Sequence, residues 1–210
     1  MVTALDFGSL GHELNNGRGL YACKMSWQSQ WWEVCVLEYF DVIDEHDCVI
    51  GSKPGRECVD LGLLHRAILV FLTNPDGEVY LQKRARNLLF CPGRWSASVT
   101  GHVSSGETYL QAAKREVNEE LGIDCELTEL GKFMTPKWKV DDGTEWEYIT
   151  VFEGRSSSSE ITLSDETEEG KFVSQEEFKR LVESKPESFT PDTLLALEYC
   201  LNRIKSAHNR

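Results

Sequence analysis

Arg66 to Thr73 reads Arg-Ala-Ile-Leu-Val-Phe-Leu-Thr, an apolar run of strand length. Such a run predicts a strand buried on both faces. Asn74-Pro-Asp-Gly77 follows, with Pro and Gly where a type I turn wants them. Glu78 to Ala85 is then the partner strand. Upstream, Leu37 to Asp44 alternates apolar and polar positions and predicts another strand. A turn at residues 44–47 leads into a return strand over Cys48 to Gly51. Short strands are predicted over Trp95 to Thr100, Cys125 to Phe133 and Glu147 to Glu153. The stretch Thr108 to Leu121 has no Pro or Gly and predicts a helix, which Gly122 ends as a C-cap glycine. Ser156 to Ser159 is a polar loop. Two amphipathic helices follow, Ser174 to Glu183 and Pro191 to Ser206. Ser174 and Glu177 have capping-box spacing, and Thr190-Pro191 places an N-cap before a first-turn proline. Mixed strands flanked by helices, without internal repeat or long linker, predict an α/β or α+β domain.

We divide the chain into an N-terminal extension, residues 1–33, and one domain, residues 34–210. Trp27, Trp31 and Trp32 cluster in the extension, where they would cover the domain edge or a partner, or pack as an ordinary extension. A chain of 210 residues with 40% hydrophobic content suits one domain with a core. No segment approaches the roughly 18 consecutive apolar residues of a membrane helix. The N-terminus lacks a basic region followed by an apolar one, so no secretion signal is expected. The 7 cysteines are an odd count without paired spacing and read as reduced thiols of a cytoplasmic protein. A net charge of −13 argues against binding a nucleic acid polymer or an anionic membrane. A phosphorylated small-molecule substrate would instead need positive charge concentrated locally. The sequence leaves the oligomeric state open.

Candidate chemistry concentrates on the predicted helix. At about 100° per residue, Glu116, Glu119 and Glu120 fall within an arc of roughly 100°. Three carboxylates on one face repel each other unless a cation neutralises them, and oxygen-only ligands suit Mg²⁺ or Mn²⁺. Upstream stand Gly101, Gly106 and Glu107, the glycines allowing tight turns. Gly101 and Glu107, with Arg115, Glu116, Val117, Glu119, Glu120, Gly122 and Ile123, match every fixed position of G-x5-E-x7-R-E-U-x-E-E-x-G-U, U being a bulky aliphatic residue. That pattern resembles the signature of the Nudix hydrolases.

The resemblance implies a Nudix-type α/β/α sandwich with a mixed sheet. It implies hydrolysis of a diphosphate bond in an X-diphosphate, where X is a nucleoside or another group. Glu116, Glu119 and Glu120 would be metal ligands, with Glu119 or Glu120 alternatively the base, and Arg115 would orient them. Glu166 lies where related hydrolases place a general base. Lys83 and Arg84, supported by Arg86, would clamp the diphosphate. Trp95, Trp138 and Trp146 could stack on a base or pack a prenyl chain.

Further segments, from Phe40-Asp-Val-Ile-Asp44 to Phe189-Thr-Pro-Asp-Thr193, resemble the branch that contains type I isopentenyl diphosphate isomerases and their hydrolase relatives. By that resemblance His65, His102, Glu145 and Glu147 match a metal set outside the helix, the two glutamates sharing one face of a strand. Cys58 lies near where a third histidine would fall. The isomerases carry a proton-transferring cysteine where this chain has Thr100, and a hydroxyl is a far weaker acid or base than a thiol. Hydrolysis is therefore the expected activity. An isomerase-like enzyme and a non-catalytic Nudix binding module are the alternatives.

Overall fold

The computed structural model describes residues 18–23, 33–88, 90–140, 143–156 and 161–207. In chain order the strands are β1 (Arg18–Cys23), β2 (Glu33–Ile43), β3 (Val49–Pro54), β4 (His65–Thr73), β5 (Val79–Arg84), β6 (Trp95–Ser96), β7 (Val99–His102), β8 (Glu126–Met134), β9 (Trp138–Val140), β10 (Gly143–Glu145), β11 (Glu147–Arg155) and β12 (Thr167–Val173). The helices are α1 (Gly55–Leu61), α2 (Tyr109–Leu121), α3 (Gln175–Ser184) and α4 (Pro191–Ala207), with a 3-10 turn at Pro186–Ser188. Among the described residues no helix is long and apolar enough to cross a membrane.

The unbroken apolar run becomes β4, the hub of the main sheet. It pairs in parallel with β11, from Glu147 opposite His65 to Arg155 opposite Thr73, and antiparallel with β2, β5 and β7. Both of its faces are covered, which is why the run does not alternate. Ile68, Val70 and Leu72 pack with Ala112, Ala113, Val117 and Leu121 of α2. Ala67, Leu69 and Phe71 pack with Phe178 of α3, Phe189, and Ala196 and Cys200 of α4. The result is an α/β/α sandwich around a mixed sheet, as the resemblance implies. Of residues 1–33, β1 pairs antiparallel with β2, while Trp27, Trp31 and Trp32 lie outside the described residues, as does most of the 156–159 loop.

Several local expectations need correction. The strand expected over Trp95 to Thr100 is two strands, because the chain crosses there from β5 to β4. Ser98 spans the crossing: its hydroxyl donates to Tyr80 O (2.6 Å) and accepts from Leu72 N (2.7 Å). At α3 only half of the capping box forms, with Ser174 Oγ accepting from Glu177 N (3.2 Å). A complete box stands instead at α2, between Thr108 and Gln111. Glu145 and Glu147 do not share a strand; Trp146 separates β10 from β11. The acidic stretch after Asp165, read as loop, runs into β12, which pairs with β5, and Gly170 leaves room there for the Tyr80 hydroxyl. Helix α1 gave no signal, since it is short and opens on Gly55. A side chain at Gly55 would collide with the Phe40 ring.

The turn after β2 is tied to α2. Asp47, at φ 63°, accepts from Arg66 Nε (2.6 Å) and from the Tyr109 hydroxyl (2.9 Å). Thr108 caps the same end of α2. Its hydroxyl accepts from Gln111 N (3.3 Å), and Gln111 Oε1 accepts from Thr108 N (2.9 Å). Replacing such a cap by alanine costs about 1 kcal/mol. Thr108→Ala should therefore lower the melting temperature by about 2–4 °C in calorimetry.

Candidate functional site

Helix α2 carries its carboxylates to the sheet through Arg115. That guanidinium donates from Nε and Nη2 to the two oxygens of Glu107, both at 2.9 Å, and from Nη2 to His102 O at 3.1 Å. Its Nη1 reaches Glu116 Oε1 at 2.6 Å and Glu119 Oε2 at 3.3 Å. Burial alone would lower the Arg115 pKa, but its hydrogen bonds to Glu107 and the charge of Glu116 outweigh it and raise it. Glu107, which also accepts from Ser104 N, is lowered by the same pairing. Glu107 and Arg115 thus position the helix rather than face the cavity.

Glu116 and Glu120 lie deeper. Burial pushes the Glu116 carboxyl up to about 7, against the pull of Arg115. Glu120 is pushed up to about 8, again by burial, with Glu116 and Glu166 adding repulsion and Gln82 opposing. Gln82 Nε2 donates to Glu120 Oε2 at 2.6 Å. Glu119 is the most exposed of the three, its side chain 45% accessible. Gly101 has no positive φ; its role is close approach, since a Cβ there would run into the Glu116 carboxyl. Gly106, at φ 83°, is the glycine that the turn requires.

Beside them stands a second group. Ligand atoms of His65, His102, Glu145 and Glu147 lie within 4.8 Å of one another. His65 Nε2 is 3.6 Å from Glu145 Oε2, and His102 Nε2 is 3.5 Å from Glu147 Oε1. Sheet register makes the convergence: β4 sets His65 opposite Glu147 on β11, while His102 pairs with Ala67 on β4. The Phe40 ring, admitted by Gly55, stacks on both imidazoles at centroid distances of 5.3 and 4.5 Å. His65 Nδ1 lies 2.9 Å from Leu63 O, a contact that puts the proton on Nδ1 and aims the Nε2 lone pair into the cluster. Burial lowers His65, and burial with the His65 charge lowers His102 to about 3. The same burial raises Glu145, and raises Glu147 well above the usual carboxylate range. His65 Nε2, His102 Nε2 and Glu145 Oε2 are all buried without a hydrogen-bond partner. Two neutral imidazoles and two carboxylates with lone pairs turned to one point suit a divalent cation.

A cavity of about 430 Å³ joins the two groups. Glu116, Glu119, Glu120, His102, Glu145 and Glu147 all line it. So do Arg84 and Glu166, the former being the one cation among the described lining residues. Lys83 and Arg86 do not line it. They pair with Glu168, at 3.6 and 3.4 Å, because alternation along β5 turns Lys83 away from the face of Arg84. Thr100 lines the cavity; Cys91 and Cys58 do not. None of the three candidate tryptophans lines it either. Trp95 packs on the α3/α4 core, Trp138 stacks against Phe90, and Trp146 lies under Lys137. Sequence reasoning assigned no role to Glu38 or Asp192, which also line the cavity. Only the segment around Asp192 carried a signal, through its resemblance.

The family model for the NUDIX domain matches residues 63–193. The chain is 33% identical over 153 residues to a Photorhabdus laumondii protein named isopentenyl-diphosphate Delta-isomerase 2, covering 73% of this chain and 86% of that one. It is also 33% identical over 161 residues to an uncharacterized Nudix hydrolase of Pseudomonas aeruginosa, covering 76% and 91%. Among solved structures, a Deinococcus radiodurans protein superposes with a TM-score of 0.64 at 24% identity, over 78% of this chain and 99% of that one. A MutT NUDIX hydrolase of Burkholderia pseudomallei gives 0.52 at 26% identity, over 65% and 97%.

The raised carboxyls set a pH dependence. Without divalent cations, Glu116 and Glu120 bind protons in the folded state at pH values where unfolded carboxylates have lost them. Their cost is absent below the ordinary value of 4.5 and grows as pH rises through about 7 and 8. In chelator, Glu120→Gln should therefore melt several degrees above the wild type at pH 8, with a smaller gap at pH 5.

Proposed function

The chain belongs to the NUDIX domain family, and from that premise we propose that it is a divalent-cation-dependent hydrolase of a diphosphate bond in an X-diphosphate substrate. The observation that carries this reading is the intact carboxylate face of α2, held by Arg115 against a cavity that also contains Arg84. Mg²⁺ or Mn²⁺ would be held by Glu116, Glu119 and Glu120. A second cation would be held by His65, His102, Glu145 and Glu147, whose orphaned lone pairs fit one. When bound, such a cation supplies positive charge against the phosphate oxygens and makes the attacking water more acidic.

The chain's own groups do the rest. Arg115 keeps the α2 carboxylates in one orientation and Gln82 fixes Glu120. Arg84 neutralises a phosphate oxygen. Glu166, exposed at the cavity and outside the α2 set, takes the proton of the water as its oxygen attacks phosphorus. The bond from phosphorus to the bridging oxygen breaks, and that oxygen departs on the other phosphate, as a phosphate monoester or as inorganic phosphate.

Isomerisation is the second reading, favoured by the cluster of His65, His102, Glu145 and Glu147 and by relatives named as isomerases. Against it stands Thr100 at the position where the resemblance expects a thiol. Among the described lining residues there is no cysteine. Burial raises the Cys91 and Cys58 thiols, Cys58 to about 11, and so makes both poorer proton donors.

Glu120→Gln keeps size and removes one charge from the proposed cation site. Turnover of the best X-diphosphate should fall by about a hundredfold or more, as loss of charge stabilisation worth several kcal/mol requires. Near-native turnover by the folded variant would remove Glu120 from the cation site, and no turnover of any X-diphosphate by the wild type would sink the hydrolase reading and leave a binding module. The wild-type chain should not convert isopentenyl diphosphate to dimethylallyl diphosphate; robust double-bond migration, followed by NMR with Mg²⁺ and Mn²⁺, would favour the isomerase instead.

A further inference from the structure

One wall of the cavity belongs to neither cluster. Asp192, in the first turn of α4, lines the cavity and is 8% exposed. Burial raises its carboxyl pKa, against the opposing pull of the Thr190 hydroxyl and of backbone N–H groups of its own turn. Its Oδ1 is buried and has no hydrogen-bond partner. Ser164, whose Oγ is also buried without a partner, lines the same cavity, as do Ser96 and Thr190. Asp192 is not among the residues whose ligand atoms converge beside β4.

Its position is fixed by the fold. Thr190 N donates to Trp95 O at 2.9 Å, and Ala97 N donates to Thr193 Oγ1 at 2.8 Å. These bonds pin the start of α4 to β6 and keep Asp192 from turning away. Arg84 is near enough to act on the charges of both Glu120 and Asp192. A diphosphate neutralised by Arg84 therefore lies within reach of the α2 carboxylates and of Asp192 together.

A buried acceptor without a donor costs free energy, and covering it with hydrocarbon makes that cost permanent. A hydroxyl or N–H from a substrate removes it. Resting on the hydrolase reading above, we propose that Asp192 is a specificity-determining residue that accepts a hydrogen bond from X. The enzyme then takes diphosphates whose X carries hydroxyl or N–H donors, as nucleosides and sugars do, and rejects prenyl diphosphates. The polar lining at Ser96, Ser164 and Thr190 works in the same direction.

The test compares ADP-ribose and UDP-glucose with isopentenyl and geranyl diphosphate, by kcat/KM and by calorimetric affinity with Mg²⁺. At least one of the first pair should exceed both prenyl diphosphates by about a hundredfold, a discrimination within reach of a site left with an unpaired buried group. Asp192→Ala and Asp192→Leu should erase that margin, mainly through KM, while Asp192→Asn, which keeps an acceptor oxygen, retains most of it. A prenyl preference in the wild type, or an unchanged margin in a folded Asp192→Ala or Asp192→Leu protein, would overturn the proposal. So would a loss of Mn²⁺ affinity in Asp192→Asn, which would make Asp192 a cation ligand. If the wild type hydrolyses none of the four, the affinities alone decide Asp192, whatever becomes of the hydrolase reading. Weaker ADP-ribose binding with unchanged or tighter geranyl diphosphate binding in Asp192→Ala then upholds it, and equal changes overturn it.

Discussion

Everything at the cavity depends on one buried guanidinium. Arg115 joins a loop glutamate, a strand carbonyl and two helix carboxylates, each with its own donor–acceptor contact. A lysine could not do this, because its ammonium lacks the planar fork that takes both oxygens of Glu107 while reaching past them. The cost of burying this charge is offset by Glu107 and Glu116; in return Arg115 holds Glu107 below the usual carboxylate range and limits the rise that burial imposes on Glu116. The helix is thus locked in rotation about its axis, and its acidic face can point only at the cavity.

The same cavity shows how an acidic protein handles a phosphate. Its walls carry carboxyls that burial makes reluctant to ionise, and imidazoles that burial makes reluctant to protonate. Both tendencies leave lone pairs rather than charges. Such a surface repels an anion less than its composition suggests, and it gains most when a cation arrives. The overall charge of −13 is a poor guide to this small region.

The chain makes the hub strand, α2 and its acidic face legible because each is local. A continuous apolar run, a helical period and a terminal glycine are read within a few residues. What the sequence concealed depends on distant contacts. The break at Ala97 and Ser98 exists because Ser98 bridges Tyr80 and Leu72. The exclusion of Lys83, next to the accepted Arg84, follows from which face of β5 meets the cavity. Glu145 and Glu147 could be paired by resemblance, yet their separation onto two strands could not be read from a motif of alternating residues. Asp192 had no reading of its own in the sequence, and only its burial, far along the chain from α2, makes it unusual.

The parallel ladder between β4 and β11 has a consequence for how the molecule comes into being. It sets His65 beside Glu147, residues far apart in the chain. Pairings that close such long loops are slow, because the chain loses its freedom before the contact repays it. The cluster of imidazoles and carboxylates therefore exists only once the nascent chain has been made beyond β11 and the ladder has zipped in register. A slip of one residue would turn Glu147 to the opposite face of the sheet. A cation that favours this arrangement thus rewards the finished topology and gives no help to a partly folded chain.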